Sequence, residues 1–161
     1  MTRNTGYTLL EILIVLAISS TIFAVGYTGF REFARRQTLN AAVNSVKADL
    51  SLTVKQALDG KKPATCTGGL ENYAFNITST TTYTISASCD TAVVGVNTVL
   101  VKSVTLPLGI TLTTPFPNPL EFKTLGQGTN ITAGNSATLT ISNAKINYSQ
   151  TLIIGANGEI N

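Results

Sequence analysis

The first part of the chain carries one long apolar run. Between Tyr7 and Phe30 the sequence has a single formal charge, at Glu11, and the 19 residues from Ile12 to Phe30 have none. A helix of that length spans about 28 Å, close to the ~30 Å of hydrocarbon in a bilayer. The pattern predicts one membrane-spanning helix. A cleaved secretory signal is the alternative, but its apolar region is usually about 7 to 15 residues long, and residues 24–29 offer no A-x-A cleavage site.

The helical pattern continues beyond Phe30 as an amphipathic stripe. Apolar residues recur at steps of three or four, at Val43, Val46, Leu50, Val54 and Ala57. Polar residues fall elsewhere, at Arg35, Arg36, Asn40, Lys47, Asp49 and Lys55. Gly60 suits a left-handed helix cap, and Pro63 prevents continuation of the helix. We predict one helix from about Thr8 to Leu58, apolar on all sides in its first half and amphipathic in its second.

Downstream of the helix the sequence changes to a period of two, which is typical of β-strands. The alternating apolar sets are Tyr73/Phe75/Ile77, Tyr83/Ile85/Ala87, Val99/Val101, Leu139/Ile141 and Leu152/Ile154. Turn-forming residues interrupt them at Asp90 and at residues 107–109, 115–119, 126–128, 134–135 and 155–158. These frequent breaks favour an antiparallel meander, packed as a sheet on the C-terminal half of the helix. The predicted fold class is α+β.

Composition narrows the possible functions. The chain has 161 residues, of which 12% are charged, and a mean hydropathy of +0.25, so it is one domain or one domain with an appendage. It contains no His, which removes the usual general base, the Ser-His and Cys-His dyads and every His-ligated metal site. We therefore expect no enzyme activity, no cofactor and no bound metal.

The net charge of +3 is too small to indicate a nucleic-acid partner unless basic residues cluster. Beyond the predicted helix, Lys61 and Lys62 are adjacent, but Lys102, Lys123 and Lys145 are isolated along the sequence. We therefore expect no DNA binding.

Glu11 is unusual, because an acidic side chain costs up to ~3 kcal/mol in the middle of a bilayer and somewhat less near its edge. One interpretation is an acid merely tolerated in the headgroup zone. However, residues 6–11 read Gly-Tyr-Thr-Leu-Leu-Glu, follow the short polar segment 1–5, and open directly into the apolar run. This pattern resembles the class III signal of type IV pilins and type II secretion pseudopilins, usually written G-F-T-L-x-E.

The resemblance implies cleavage by a prepilin peptidase between Gly6 and Tyr7, followed by N-methylation of the new Tyr7 amine. Tyr7 stands where Phe is commonest in the family. Glu11 becomes the fifth residue of the mature chain, the position that the family uses. The implied fold is a long N-terminal helix packed on an antiparallel β head. The implied partners are other pilin or pseudopilin subunits, the prepilin peptidase and the inner-membrane assembly platform.

The chemistry of Glu11 supports a role between subunits. Its carboxylate lies one helical turn from the Tyr7 ammonium of its own chain, and it can meet the Tyr7 ammonium of a neighbour shifted along a helical stack. In low dielectric such a pair is stronger than at a surface, and an unpaired Glu11 would be costly. We predict that Glu11 is an assembly residue.

The charges that flank the span conflict with the orientation that a pilin needs. Arg31, Arg35 and Arg36 follow the span with only Glu32 against them, whereas Arg3 alone precedes it. The positive-inside rule would therefore place the C-terminal part in the cytoplasm. The peptidase signal implies a cytosolic leader instead. We predict a single pass through the cytoplasmic (inner) membrane with the head outside the cytoplasm, and then a place in a periplasmic or extracellular fibre.

Cys66 and Cys89 are the only cysteines, and both lie in the predicted head. A bond between them would stabilise the fold by roughly 3 kcal/mol through loop closure. Two free buried thiols or an intermolecular bridge are the alternatives. We predict the disulfide, which also favours an oxidising location for the head.

The last 40 or so residues resemble the head of GspH/FimT-type minor pseudopilins. The resemblance lies in a strand that ends in F-x-x-x-G at residues 122–126, a hairpin around residues 137–141, and a terminal strand at residues 152–155 that closes on Gly158-Glu159-Ile160. It implies a minor rather than a major subunit.

We predict four segments. They are a leader at residues 1–6, the transmembrane half of the helix at 7–30, its amphipathic half at 31–60 and a β head at 61–161. The predicted function is that of a structural, minor subunit of a type IV pilus or type II secretion pseudopilus. The alternative is an adhesin or DNA-binding minor pilin carried on such a fibre, which clustered exposed aromatic or basic side chains on the head would favour.

Overall fold

The computed structural model describes residues 7–91, 95–113 and 117–161. One long helix precedes a series of strands. The elements are α1 (Leu9–Leu58), β1 (Gly69–Ser79), β2 (Thr82–Thr91), β3 (Gly95–Thr105), β4 (Ile110–Leu112), β5 (Leu120–Lys123), a 3₁₀ turn (Thr124–Gly126), β6 (Ser136–Asn143) and β7 (Tyr148–Gly155). All strand pairs are antiparallel. This confirms the α+β class and is consistent with a type IV pilin-like fold.

Local signals in the sequence define both ends of α1. At its start, Thr8 precedes the first helical residue, and the Ile12 amide donates to the Thr8 carbonyl at 3.3 Å. At its end, Gly60 has φ +60°, and the Lys61 amide donates to the Gln56 carbonyl at 2.9 Å. Helices commonly end at a glycine in the left-handed conformation, with a hydrogen bond from the residue after it to the carbonyl five residues earlier. The predicted helix ends are therefore confirmed to within one residue.

The chain divides into two compact units, one ending at Gln37 and one beginning at Thr38. In the first unit the large apolar side chains that the structure describes are exposed, among them Leu9, Leu16, Phe23 and Phe33. The second unit contains the remainder of α1 and all the strands. Its core combines the apolar stripe of α1 with the inner faces of the sheets.

The strands form two sheets rather than the single meander that we predicted. One sheet has the order β3-β2-β1-β5, and the other has the order β4-β6-β7. The chain leaves the first sheet after β3, where the Leu106 amide donates to the Thr81 carbonyl at 2.8 Å and the Leu112 amide donates to the Thr80 carbonyl at 2.7 Å. These contacts carry the chain across the β1–β2 turn, so that β4 begins a new sheet. The later strand β5 then returns to pair with β1.

Most of the predicted core positions are buried. The alternating sets of β1, β2, β6 and β7 all point inward, and the rings of Phe75 and Tyr83 stack with their centroids 4.8 Å apart. In β3 the prediction is wrong for Val101, which is exposed. The register against β2 shifts there, because Ile85 pairs with Lys102 while Ser86 pairs with Leu100. This bulge, on a strand at the sheet edge, turns Val101 away from the core.

Two other predictions about local structure need correction. Asp90 does not break the chain, because it pairs with Gly69 and Val96 inside the first sheet. Asp49, which we assigned to the polar side of the helix, is buried. It occupies the core stripe between Val46 and Thr53, where its charge is paired.

The C-terminus folds back on β7. Asn161 and Ile153 exchange two backbone hydrogen bonds of 2.9 Å, and the Gly155 amide donates to the Glu159 carbonyl at 2.9 Å. Residues 158–161 therefore cover part of the outer edge of β7.

Candidate functional site

The first turn of α1 holds the residues to which the sequence pointed. Thr8 acts as the N-cap, because its Oγ1 accepts a hydrogen bond from the Glu11 amide at 3.3 Å. An N-cap hydroxyl satisfies one of the amides that a helix start leaves unpaired. Glu11 is the acidic residue of this turn, where a carboxylate interacts favourably with the helix dipole. The sequence analysis missed the capping role of Thr8, although the spacing Thr-x-x-Glu is a recognisable signal for it.

Tyr7 and Glu11 lie on the same side of the helix. Together with Ile12, Val15 and Leu16 they line one shallow recess on its surface. Tyr7 is 80% exposed. Within residues 7–91, 95–113 and 117–161, no ion pair of the Glu11 carboxylate is found. The recess thus presents a carboxylate among apolar side chains, open to a group from another molecule.

The helix surface that follows is apolar and uncovered. Leu9, Leu10, Leu16, Ile22 and Phe23 are each exposed by more than half. Two hydroxyls in this stretch are satisfied within the helix, since Ser20 Oγ donates to the Ala17 carbonyl at 2.9 Å and Thr21 Oγ1 to the Ile18 carbonyl at 2.7 Å. Such internal bonding is what a polar side chain needs in hydrocarbon. By length and composition this helix could cross a membrane.

The predicted cleavage position involves Gly6, which lies outside the described residues. Tyr7, on the other side of the predicted scissile bond, precedes the helix. The cleavage at Gly6–Tyr7 and the methylation of Tyr7 stay predictions.

The two cysteines form the predicted disulfide. Cys66 lies in the connection between α1 and β1, Cys89 lies in β2, and the bond joins them with a Cα–Cα distance of 5.8 Å. Both residues are buried. Of the three alternatives, the intramolecular bond is the one that the structure contains.

An ion pair in the second unit, between a buried carboxylate and a half-exposed ammonium, escaped the sequence analysis. The ammonium of Lys102, in β3, lies 2.6 and 2.8 Å from the two carboxylate oxygens of Asp49, in α1. The hydroxyl of Tyr83, in β2, donates to Asp49 Oδ2 at 2.7 Å. Burial, followed by the hydrogen bond to Asp49 and its negative charge, raises the pKa of Tyr83 above its usual value. A signal was available, because an aspartate that falls on the core stripe of an amphipathic helix needs a buried partner.

A comparison with protein families finds a match over the N-terminal segment. The model of the prokaryotic N-terminal methylation motif matches residues 1–27. The search finds no significant similarity to any curated protein or to any solved structure. The matched segment contains residues 6–11, which resemble the peptidase signal, and most of the apolar run. It supports a type IV pilin-like protein. Together with the α+β fold it points to a structural protein that is anchored in a membrane.

Proposed function

We propose that the chain is a structural subunit of a type IV pilus or a type II secretion pseudopilus. The observation that carries the proposal is the methylation motif over residues 1–27, which runs without interruption into an exposed apolar helix with Glu11 in its first turn. A peptidase signal alone could precede many kinds of head. An uncovered apolar helix long enough to cross a bilayer also supplies the element through which such subunits are stored and assembled.

In this proposal the prepilin peptidase removes residues 1–6 and leaves Tyr7 as the N-terminus, which is then methylated. The new ammonium belongs to Tyr7, which lines the same recess as Glu11. In the fibre, the Glu11 carboxylate of one subunit pairs with the Tyr7 ammonium of a neighbour. Two charges that would be costly in an apolar environment are then neutralised together.

The proposed segments follow from this assembly route. Residues 7–30 form the membrane-embedded half of the helix, residues 31–60 its amphipathic half, and residues 61–161 the head. The head lies outside the cytoplasm, and the Cys66–Cys89 disulfide supports that side because disulfides persist in oxidising compartments. The partners are other subunits, the prepilin peptidase and the inner-membrane assembly platform.

The proposed subunit is a minor one of the GspH/FimT type. Support comes from the order of its last elements, in which strand β5 is followed by the β6–β7 hairpin and a C-terminal return onto β7. The alternative role in binding DNA gains no support from Lys102, because its ammonium is engaged by Asp49. Lys61 and Lys62 are exposed but form only a pair, so we favour a structural role over that of a DNA receptor.

The test of the proposal is the identity of the mature N-terminus. The full chain is expressed with a prepilin peptidase, and intact mass spectrometry measures the product. We expect the mass of a chain that begins at Tyr7, with one added methyl group when the peptidase also methylates. Gly6→Ala should block processing, because the peptidase must approach the backbone closely at the one residue type that lacks a side chain.

Gly29→Ala is the matched control. A Cβ added at Gly29 meets no atom within 4 Å, so this variant should be processed like the wild type. A wild-type product that still begins at Met1, or at any residue other than Tyr7, would show that the signal has been misread.

A further inference from the structure

The arginines that follow the apolar run have no role in the function proposed so far. Of this group, Arg36 forms an ion pair with Glu32, with 2.6 Å between Arg36 Nη2 and Glu32 Oε1. In the described ranges 7–91, 95–113 and 117–161, no ion pair is found for Arg31 or Arg35. Two cations are therefore left without a counter-charge directly beyond a membrane span. Their position also opposes the positive-inside rule for a head outside the cytoplasm.

These two arginines share a helix face with an aromatic residue. Tyr27, Arg31 and Arg35 are spaced four residues apart in α1, so that they follow one another along one side of the helix. The Arg31 guanidinium lies over the Tyr27 ring, 5.6 Å from its centroid, within the range of a cation–π contact. Tyr27 itself is 62% exposed. The contact orients Arg31 along the helix and leaves its N–H groups open to a further ligand.

The depth of this face in a bilayer follows from the helix geometry. Glu11 and Arg31 are 20 residues apart in α1, which corresponds to about 30 Å along the axis. That distance equals the usual thickness of the hydrocarbon layer. When Glu11 lies at one interface, Arg31 therefore lies at the level of the phosphates of the other. Tyr27, one turn inside, lies where interfacial tyrosines are enriched.

We propose that Arg31 and Arg35 form a binding site for the phosphate of an anionic phospholipid, on the side where the helix leaves the membrane. A guanidinium matches phosphate oxygens with two parallel N–H groups, and the Tyr27 ring packs beside the glycerol and upper acyl region. The site adjoins the membrane span, so the ligand is a lipid headgroup rather than a free phosphate ion. This inference rests on the membrane span of the proposed function, but not on cleavage or fibre assembly.

Such a site explains why the basic residues lie on this side. Bound lipid neutralises them, and the subunit is held at one depth while it is stored in the membrane. Transfer into a fibre must then release the lipid, so the strength of the site affects how readily a subunit leaves the bilayer.

The test measures which lipids stay with the protein. The full-length chain is reconstituted in vesicles of phosphatidylcholine mixed with phosphatidylglycerol and extracted in mild detergent, and native mass spectrometry counts the lipids that remain bound. We expect the wild type to retain phosphatidylglycerol preferentially. A basic residue near an anionic surface contributes about fivefold in affinity. In the double variant Arg31→Gln/Arg35→Gln, the preference for phosphatidylglycerol should therefore fall about fivefold for each arginine removed.

The matched control is Lys47→Gln/Lys55→Gln, which removes the same charge from exposed positions further along α1. It should keep the wild-type preference. Equal loss in both double variants would overturn the proposal, because the effect would then be one of net charge. Unchanged retention in Arg31→Gln/Arg35→Gln would overturn it as well.

Two further arms separate the sources of failure. Inorganic phosphate, added during extraction, should not displace the lipid; displacement would show a site for phosphate ions instead. An alkaline wash should leave the wild type in the vesicles. If the wash removed the wild-type protein from the vesicles, both the membrane span and the lipid site would be overturned. If only peptidase processing failed, the proposed function would be overturned and the lipid site would stand.

Discussion

Asp49 holds a charge in a nearly closed site, and its partners come from two different strands. Its side chain is 9% exposed, whereas that of Lys102 is 47% exposed. The pair as a whole contributes little net stability, because the buried Asp49 carboxylate loses most of its hydration. The loss of one partner is costly, and the cost depends on which group is left behind. A carboxylate without its cation would stay buried, while an ammonium without its carboxylate could turn toward water.

This asymmetry gives a prediction for single substitutions. Lys102→Met should destabilise the protein by about 3 kcal/mol, the lower end of the range for a buried pair, because it leaves the Asp49 charge buried without its cation while Lys102 itself is half-exposed. Asp49→Asn should cost less, about 1 to 3 kcal/mol, because Asn keeps the shape and can still accept the Tyr83 hydrogen bond. Urea unfolding of the full chain in mild detergent, followed by the near-ultraviolet circular dichroism of the tyrosines, measures both values.

Exposed residues of the same types are the controls. Lys123→Met and Asp59→Asn change the same charges at exposed positions and should shift the unfolding free energy by less than about 0.5 kcal/mol. Equal costs for Lys102→Met and Asp49→Asn would contradict the argument from unequal burial.

At the level of elements, the disulfide ties the connection after α1 to the strand β2. The bond closes a loop with a sequence separation of 23 residues, which in the loop-entropy account stabilises the fold by roughly 3 kcal/mol. The prediction is that Cys66→Ala/Cys89→Ala lowers the unfolding free energy by about that amount. Unfolding with and without reductant measures it. Reductant should destabilise the wild type and leave the double variant unchanged.

The same bond bears on the compartment of the head. Peptide mapping of exported protein without reductant should find Cys66 linked to Cys89. If both thiols were alkylated in native fibres, the sequence argument for a head outside the cytoplasm would lose its support.

The elements also show which features a sequence can predict. The helix and the buried sets of β1, β2, β6 and β7 repeat at fixed periods, so each could be recognised from its own residues. The split into two sheets could not, because it depends on contacts such as Leu112 with Thr80, which join distant segments. The exposure of Val101 depends on a bulge that appears only when β3 pairs with β2.

In the candidate site, too, features with a local sequence pattern could be predicted and features that depend on distant contacts could not. Gly6, Tyr7 and Glu11 could be proposed from the sequence because the peptidase signal is a contiguous motif, and their roles stay predictions. The pairing of Asp49 with Lys102, which are 53 residues apart, could not be inferred, since the helix pattern specifies that a partner is needed but not which residue supplies it. The proposed partner of Glu11 is the Tyr7 ammonium of another subunit, so neither the sequence nor the structure of one chain could show that pairing.

At the scale of the whole molecule, the chain buries its apolar side chains in one part and exposes them in another. The second unit has a closed core. In the first unit, Leu9, Leu16 and Ile22 are each more than half exposed, and soluble proteins rarely leave a long apolar surface uncovered. In the proposed function, lipid covers that surface in the membrane, and neighbouring helices cover it in a fibre. Both environments are apolar, so the transfer changes little for the leucines and isoleucines but much for Glu11.

The last prediction concerns this transfer. Glu11→Ala and Glu11→Gln should leave insertion, cleavage and head folding intact, because removal of an acid makes the span cheaper to insert. Incorporation into fibres should fall more than tenfold, since the Tyr7 ammonium of the neighbour becomes a buried unpaired charge at a cost of about 3 to 5 kcal/mol. The measurement is the fraction of processed subunit in sheared fibres relative to membranes.

Glu32→Gln separates this effect from a general loss of negative charge. Glu32 lies on the same helix and pairs with Arg36 at the surface, where such a pair contributes about 0.3 to 0.5 kcal/mol, so this variant should assemble almost like the wild type. Glu11→Gln keeps the shape of the side chain without its charge, and its agreement with Glu11→Ala would identify electrostatics as the cause. Wild-type incorporation of both Glu11 variants would instead make Glu11 an acid that the headgroup zone tolerates, because a carboxylate paired across subunits cannot be removed without leaving its partner unpaired.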